Sequence, residues 1–378
     1  MYTSDSARKT SGSILILVLL AGLLMGGLLM FYLNYRQISG LSTQVSELKT
    51  KVSVLEGTQN ATYQNITILQ NGTSLAQLYN NVRDSVVLIT GTTNDGSVQG
   101  SGFAYQYQGM NLILTNHHVV EDTTSLAVTF SNGRGYAANI VGQDPYADLA
   151  VVTVPDAPAS EFKPVTIVES SALTVGEEVI AIGNPYGLVG SMTTGVVSAV
   201  GRSITEDATD RYAIANVIQT NTAINPGNSG GLLLNSLGNV VGITTAIVSD
   251  SQGLGFAIPS STILREIDSL VKTGAYRGHS YLGVSGTDMS YSLAQESGDS
   301  VTYGWKLALV NSTGPSAGKL QVNDIIIALN GQTIRHNDDL ASYLEQHTLP
   351  GNTITVTVMR GSTETQVDVT LGIRPSPT

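Results

Sequence analysis

The sequence predicts a mostly-β chain carried behind one apolar helix and a short coiled coil, and three observations lead there. Residues 14–35 form an uncharged, largely aliphatic run. From about residue 82 to 260 the chain breaks into short strand-like runs, among them 85–90, 178–182 and 240–247, separated by Gly, Asn and Asp turns. A natural bridge between domains follows at 261–273, where Ile263, Leu264, Ile267, Leu270 and Val271 recur at helical spacing and Gly274 is the stop signal.

The run at 14–35 is long enough to cross a bilayer, which takes roughly 20 residues. A cleaved signal peptide would have a shorter apolar region of about 7–15 residues and a small-residue cleavage site. This run instead ends in Phe31, Tyr32 and Tyr35, suited to the membrane interface. Arg8 and Lys9 precede it and Arg36 follows, a weak bias that favours a cytoplasmic N-terminus (1–13) with all later residues outside. Gly22 and Gly26 are spaced to let two such helices approach, although glycine is common in membrane helices for other reasons.

Just beyond, Ile38, Leu41, Val45, Leu48, Val52 and Leu55 follow the three-four spacing of a coiled-coil seam, with Lys51 and Glu56 placed to pair between parallel chains. A solvated stalk helix is the simpler alternative. Asn60, Asn65 and Asn71 are glycosylation acceptors in the polar linker that follows, and Asn311 is a fourth. Clustered in this way, they suit a glycan-shielded stalk outside the cytoplasm.

Composition closes several routes. The 378 residues suffice for two or three domains with cores of their own. The absence of cysteine rules out disulfides and thiolate chemistry. Charged residues are 12% of the chain, about half the usual share, and the formal net charge of -11 comes without a basic cluster, which argues against nucleic acid as a partner. No Walker-type loop and no His/Glu cluster at metal-ligand spacing is present, so neither nucleotide, metal nor other cofactor is expected.

The chemistry is carried by three segments. NPGNSGG at 225–231 places Ser229 in a glycine-rich turn, where a hydroxyl is exposed among backbone N–H groups. TNHHVV at 115–120 follows an apolar run, and DPYAD at 144–148 precedes another. A serine hydroxyl attacks only when an imidazole takes its proton, and the imidazole needs a carboxylate to hold its tautomer. Ser229 is therefore the candidate nucleophile, His118 the base and Asp148 the orienting carboxylate. The backbone N–H groups of the turn at Gly227, Asn228 and Ser229 form the candidate oxyanion site, with Gly227 and Ser229 as its donors. His117 reads as a structural neighbour, and Asp144 as a turn former before Pro145.

These three motifs resemble those of the HtrA/Deg family of serine proteases, as do 100–103, 181–185 and 255–259, and the resemblance runs from about residue 75 to 373. The second histidine at 117 is a departure from the family's usual Thr-Asn-Ala-His or Thr-Asn-Asn-His. The resemblance implies a chymotrypsin-like double β-barrel at 75–262, after the stalk at 36–74, and a linker helix at 263–277. It also implies a PDZ domain at 278–373, supported by 281–284, 323–331 and 337–346. The loop Tyr281, Leu282, Gly283 and Val284 would hold a peptide C-terminus through backbone N–H groups. Thr245, Ala246 and Ile247 would border a specificity pocket for a small or medium apolar side chain, since no acidic residue is there. Residues 201–211 would form a surface loop that orders the oxyanion site. The family implies trimers, whereas β-branched seam positions with leucine favour two strands.

The implied function is membrane-anchored extracytoplasmic proteolysis of unfolded or misfolded proteins, with peptide C-termini and the lipid bilayer as further partners. A non-proteolytic chaperone or peptide receptor on the same scaffold, and a protease making one signalling cut, are the alternatives.

Overall fold

The computed structural model describes residues 74–184, 190–204, 213–225, 227–245 and 254–376, with scattered positions between 16 and 49. Two compact units divide the chain, Met1–Thr67 and Ile68–Thr378. In the first, the described positions are helical. No helix among the described residues is long and apolar enough to cross a membrane. Most of the apolar run at 14–35, most of the seam and the acceptors Asn60, Asn65 and Asn71 lie outside the described residues.

The second unit opens on a helix, Leu75–Val82, started by a reciprocal capping box between Ser74 and Gln77 and anchored by buried Leu78 and Val82. Seven strands follow: β1 (Val86–Thr93), β2 (Gly96–Tyr107), β3 (Met110–Thr115), β4 (Ser125–Thr129), β5 (Gly135–Ala137), β6 (Asn139–Asp144) and β7 (Leu149–Thr153). They form one antiparallel sheet in the order β5-β4-β1-β2-β3-β7-β6. This corrects the expectation of two closed barrels, because no ladder joins β5 to β6. They are instead consecutive in the chain, parted by Ala138, whose N–H bonds back to Leu126. The second set does close: β8 (Glu178–Gly183), β9 (Ser191–Ile204), β10 (Ile214–Thr220), β11 (Leu232–Asn235), β12 (Val240–Thr245) and β13 (Gly255–Pro259) form a six-stranded barrel.

Alternation explains why so many of these strands are apolar throughout. Side chains of a strand point to opposite faces in turn. On β3, Ile113 enters the interior of the first sheet while Leu112 and Leu114 enter a core shared by the two sheets. The same split sends Ala150 and Val152 inward and Leu149 and Val151 to the shared core on β7. On β8 it separates Val179 and Ala181 from Ile180 and Ile182. Both faces of these strands are buried, so the apolar runs are continuous.

The connecting helix runs Ser260–Thr273 and ends at Gly274 in the left-handed conformation, as the stop signal predicts. It begins three residues before the expected linker boundary, directly behind β13. Its buried Ile263, Ile267 and Leu270 complete the shared core. A Cβ at Gly142 would meet the Leu270 carbonyl at 2.2 Å, so glycine is required where the helix crosses β6.

The C-terminal lobe is a curled sheet of β15 (Val284–Asp288), β16 (Trp305–Val310), β17 (Ile325–Leu329), β19 (Thr353–Arg360) and β20 (Thr363–Thr370), with β18 (Gln332–Thr333) beside β17. Two short strands, β14 (Ser280–Tyr281) and β21 (Gly372–Ile373), pair at its base. Helix Asn337–His347 packs on β9 and β10 of the barrel, where Asp338 accepts from Arg202 and from the Ser203 N–H. Residues 201–204, expected as loop, are the end of β9, because their partners on β10 continue the ladder. The rest of that expected loop is outside the described residues.

Candidate active site

Asp148 is fully buried at the end of the short turn Pro145–Ala147 and adopts φ 47°, ψ 46°. A left-handed residue with a Cβ costs roughly 1–2 kcal/mol, so the surroundings must hold it there. Its carboxylate does bind firmly. Oδ1 accepts from the His118 main-chain N–H at 3.0 Å, and the His118 Nδ1 lies 3.0 Å from Oδ1 and 2.9 Å from Oδ2. Oδ2 also accepts from the Thr245 hydroxyl at 2.7 Å, and the Asp148 carbonyl accepts from Asn116 at 3.0 Å. Burial alone would raise the Asp148 pKa, but the His118 imidazole and these bonds outweigh it and hold the group below its ordinary value. A carboxylate against Nδ1 requires the proton on that nitrogen, which makes Nε2 the proton-accepting end of the ring.

His118 lies on the one-turn helix His117–Val120 that follows β3. His117 is buried, 3.6 Å from Glu121, in keeping with a structural neighbour.

Ser229 lies in the turn between β10 and β11, and each carbonyl around it is turned into the protein. The Ser101 hydroxyl donates to the Gly227 carbonyl at 2.6 Å, the Thr244 hydroxyl to Asn228 at 2.6 Å, and the Ser101 N–H to Ser229 at 2.8 Å. Among the described residues the N–H groups of Gly227 and Ser229 meet no acceptor. The Asn228 N–H donates to Asn225 at 2.9 Å, so Asn228 closes the turn and is not a donor for an oxyanion. Gly230 has φ 86°, and a Cβ there would lie 2.0 Å from the Ser101 carbonyl and 2.4 Å from the Thr115 hydroxyl. That contact sets the serine turn against the end of β3, from which the His118 helix departs.

Thr245, expected beside a specificity pocket, is fully buried with its hydroxyl on Asp148, because β12 turns this side chain toward the first sheet. Ala246 and Ile247 lie outside the described residues. The expected carboxylate loop is formed differently at each position. Tyr281 ends β14, Leu282 is buried in the lobe's core, Gly283 has φ 78°, and Val284 begins β15. A groove of about 550 Å³ runs from this loop along β15 and helix Asn337–His347. Asn311 folds into a turn in which its Oδ1 accepts from the Thr313 N–H and hydroxyl, both at 3.0 Å.

Sequence reasoning missed two features of this region. Ser101 supports the serine turn from β2, and only its place in the 100–103 motif hinted at it. Asp144, Glu266 and His279, far apart in sequence, bring potential ligand atoms within 4.8 Å of one another. Two ligands of one tetrahedral metal at about 2.0–2.1 Å would lie more than 3 Å apart, whereas His279 Nε2 and Asp144 Oδ2 are 2.5 Å apart. That spacing fits a shared proton.

A trypsin-like peptidase domain model matches residues 100–243, and a PDZ domain model matches residues 280–371. The structure is similar to that of the HtrA-type protease AlgW with tripeptide, with a TM-score of 0.64 and 33% identity over 81% of this chain and 99% of that one. The chain belongs to the HtrA/Deg family of serine proteases. It is also similar to the serine endoprotease from Yersinia pestis, with a TM-score of 0.58 and 30% identity over 80% of this chain and 99% of that one. Among curated HtrA/Deg relatives, Protease Do-like 1, chloroplastic, of Arabidopsis thaliana is 39% identical over 291 residues, 73% of this chain and 64% of that protein. The probable periplasmic serine endoprotease DegP-like of Brucella suis biovar 1 is 36% identical over 282 residues, 74% of this chain and 53% of that protein. The chain thus spans between about half and two thirds of these curated relatives.

Proposed function

We propose that this chain is a serine endopeptidase in which Ser229 attacks the scissile carbonyl, His118 takes and returns the proton, and Asp148 holds the imidazole and stabilises its charged form. The N–H groups of Gly227 and Ser229 receive the oxyanion, each worth roughly 3 kcal/mol of barrier lowering. The observation that carries this reading is the clamp on Asp148. The carboxylate is buried and held by both His118 and Thr245, so that it fixes the imidazole in one tautomer.

The same reading places the protease outside the cytoplasm, as for the periplasmic relatives, tethered by residues 14–35 and assembled as a trimer. It acts on unfolded or misfolded proteins, cleaves after small or medium apolar side chains, and receives peptide C-termini at the groove between β15 and helix Asn337–His347. Casein cleavage by the full chain beside Ser229→Ala, across pH, tests the central claim. Turnover abolished in the variant is expected. Equal turnover in both, or none in either with hydrophobic C-terminal peptides present, would move the function to a chaperone or receptor.

A further inference from the structure

The junction between the barrel and the C-terminal lobe is a buried set of charges centred on His279. Its Nε2 lies 2.5 Å from Oδ2 of Asp144 at the end of β6, and its Nδ1 lies 3.0 Å from Oε2 of Glu345 on helix Asn337–His347. Arg265, from the connecting helix, donates to the Glu345 carboxylate and carbonyl and reaches Glu266 at 2.5 Å. The rings of Tyr146 and Tyr276 stand edge-on to the imidazole. One histidine thus joins the turn that carries Asp148 to the C-terminal lobe.

The two oxygens of Asp144 divide the work. Oδ1 accepts from the Tyr146 N–H at 2.9 Å and starts the turn Pro145–Ala147, while Oδ2 is taken by His279. Asp148 follows that turn in a conformation that a residue with a Cβ keeps only when its neighbours over-determine it. Orienting Asp144 therefore orients the start of the segment that ends in Asp148.

We propose that His279 is a positioning residue for the reaction: by bridging Asp144 and Glu345 it holds the 145–148 turn in its working shape. This rests on the serine-protease reading above. The groups that face His279 are Asp144 and Tyr146 from the turn, Arg265 and Glu266 from the connecting helix, Tyr276 behind it and Glu345 from the C-terminal lobe. Burial opposes the charge on His279, but its bonds to Asp144 and Glu345 outweigh that and push its pKa up to about 10. Burial, with Asp144 beside it, raises Glu266 well above the usual carboxylate range. His279 therefore stays charged through neutral pH, so its own titration does not form the acid limb of activity.

The test is kcat and KM on a short chromogenic peptide across pH, for the full chain and for His279→Gln, Asp144→Asn and Glu345→Gln. Ser229→Ala serves as the blank, and competent sites are counted with a fluorophosphonate label. His279→Gln preserves size and one donor, and circular dichroism at the assay temperature checks that folding is retained. Expected is a fall in kcat of about tenfold per labelled site with KM nearly unchanged. The acid limb of kcat/KM moves to lower pH, because a loosened carboxylate stabilises the imidazolium less. Simple loss of the His279 charge would move that limb the other way. An active wild type whose variants keep kcat per site, or whose acid limb stays or rises while only the melting temperature falls, would falsify the inference and leave the protease reading intact. A wild type with neither label nor turnover sinks both.

Discussion

The turns that carry Ser229 and Asp148 meet at one site but are stabilised in different ways. The serine turn is encoded locally. Glycines occupy its left-handed positions, at φ 94° for Gly227 and φ 86° for Gly230, and the Gly227 and Asn228 carbonyls are taken by Ser101 and Thr244. The aspartate turn puts a residue with a Cβ at φ 47° and relies on side chains from distant elements, Thr245 of β12 and the Asp144–His279 contact 135 residues apart. A conformation that glycine adopts freely can be written into a motif. One that costs energy must be imposed by packing around it.

Three changes bear on this contrast, in descending size. Asp148→Asn keeps the shape of the side chain but presents a donor where His118 needs an acceptor, so kcat is expected to fall about 10⁴-fold. Steady-state kinetics on a small peptide, with circular dichroism to show the fold intact, checks it. A loss below tenfold would mean that the clamp is not catalytic.

Gly230→Ala drives a Cβ to 2.0 Å from the Ser101 carbonyl at a left-handed position. A destabilisation of about 2–4 kcal/mol and a collapse of labelling at Ser229 are expected from urea titration and active-site labelling. A variant as stable as the parent would show that the serine turn too is shaped by its surroundings.

The smallest effect is the pH dependence of stability. His279 is raised from 6.5 to about 10, so its contribution is complete below pH 6.5 and is lost as pH climbs through about 10. Glu345 is lowered from 4.5 to about 2: burial opposes this, and His279 and Arg265 outweigh it. Its contribution is complete above pH 4.5 and is lost as pH falls through about 2. Thermal unfolding should therefore show highest stability between pH 4.5 and 6.5, with the alkaline decline flattened in His279→Gln. An unchanged alkaline slope in that variant would place the decline elsewhere.

Much of the site was legible beforehand because its chemistry is confined to short segments. His118 and Ser229 sit in motifs whose local shape, a one-turn helix or a glycine turn, follows from their own residues, whereas for Asp148 only the Asp-Pro start of its turn was visible. Gly274 marked the end of the connecting helix for the same reason. The bond from Thr245 to Asp148 was not legible, because a threonine in an apolar strand carries no sign of which face it will take. The bond from the Asn228 N–H to Asn225 was not legible, because a turn's internal hydrogen bond is not written in residue type. The first sheet was expected to close like the second, yet its ends meet at Ala138 without a ladder.

By itself the sequence determined the β-rich architecture, the glycine-built serine turn, the short motifs that hold His118, Asp148 and Ser229, and the order of the two folded blocks. All of these depend on periodicity and backbone freedom within a few residues. Only the tertiary structure decided what holds Asp148 in its turn and how the C-terminal lobe is joined to it. Those depend on charges from four separate elements gathered in one buried place. There burial obliges each charge to find its partner across the fold, whatever its position in the chain.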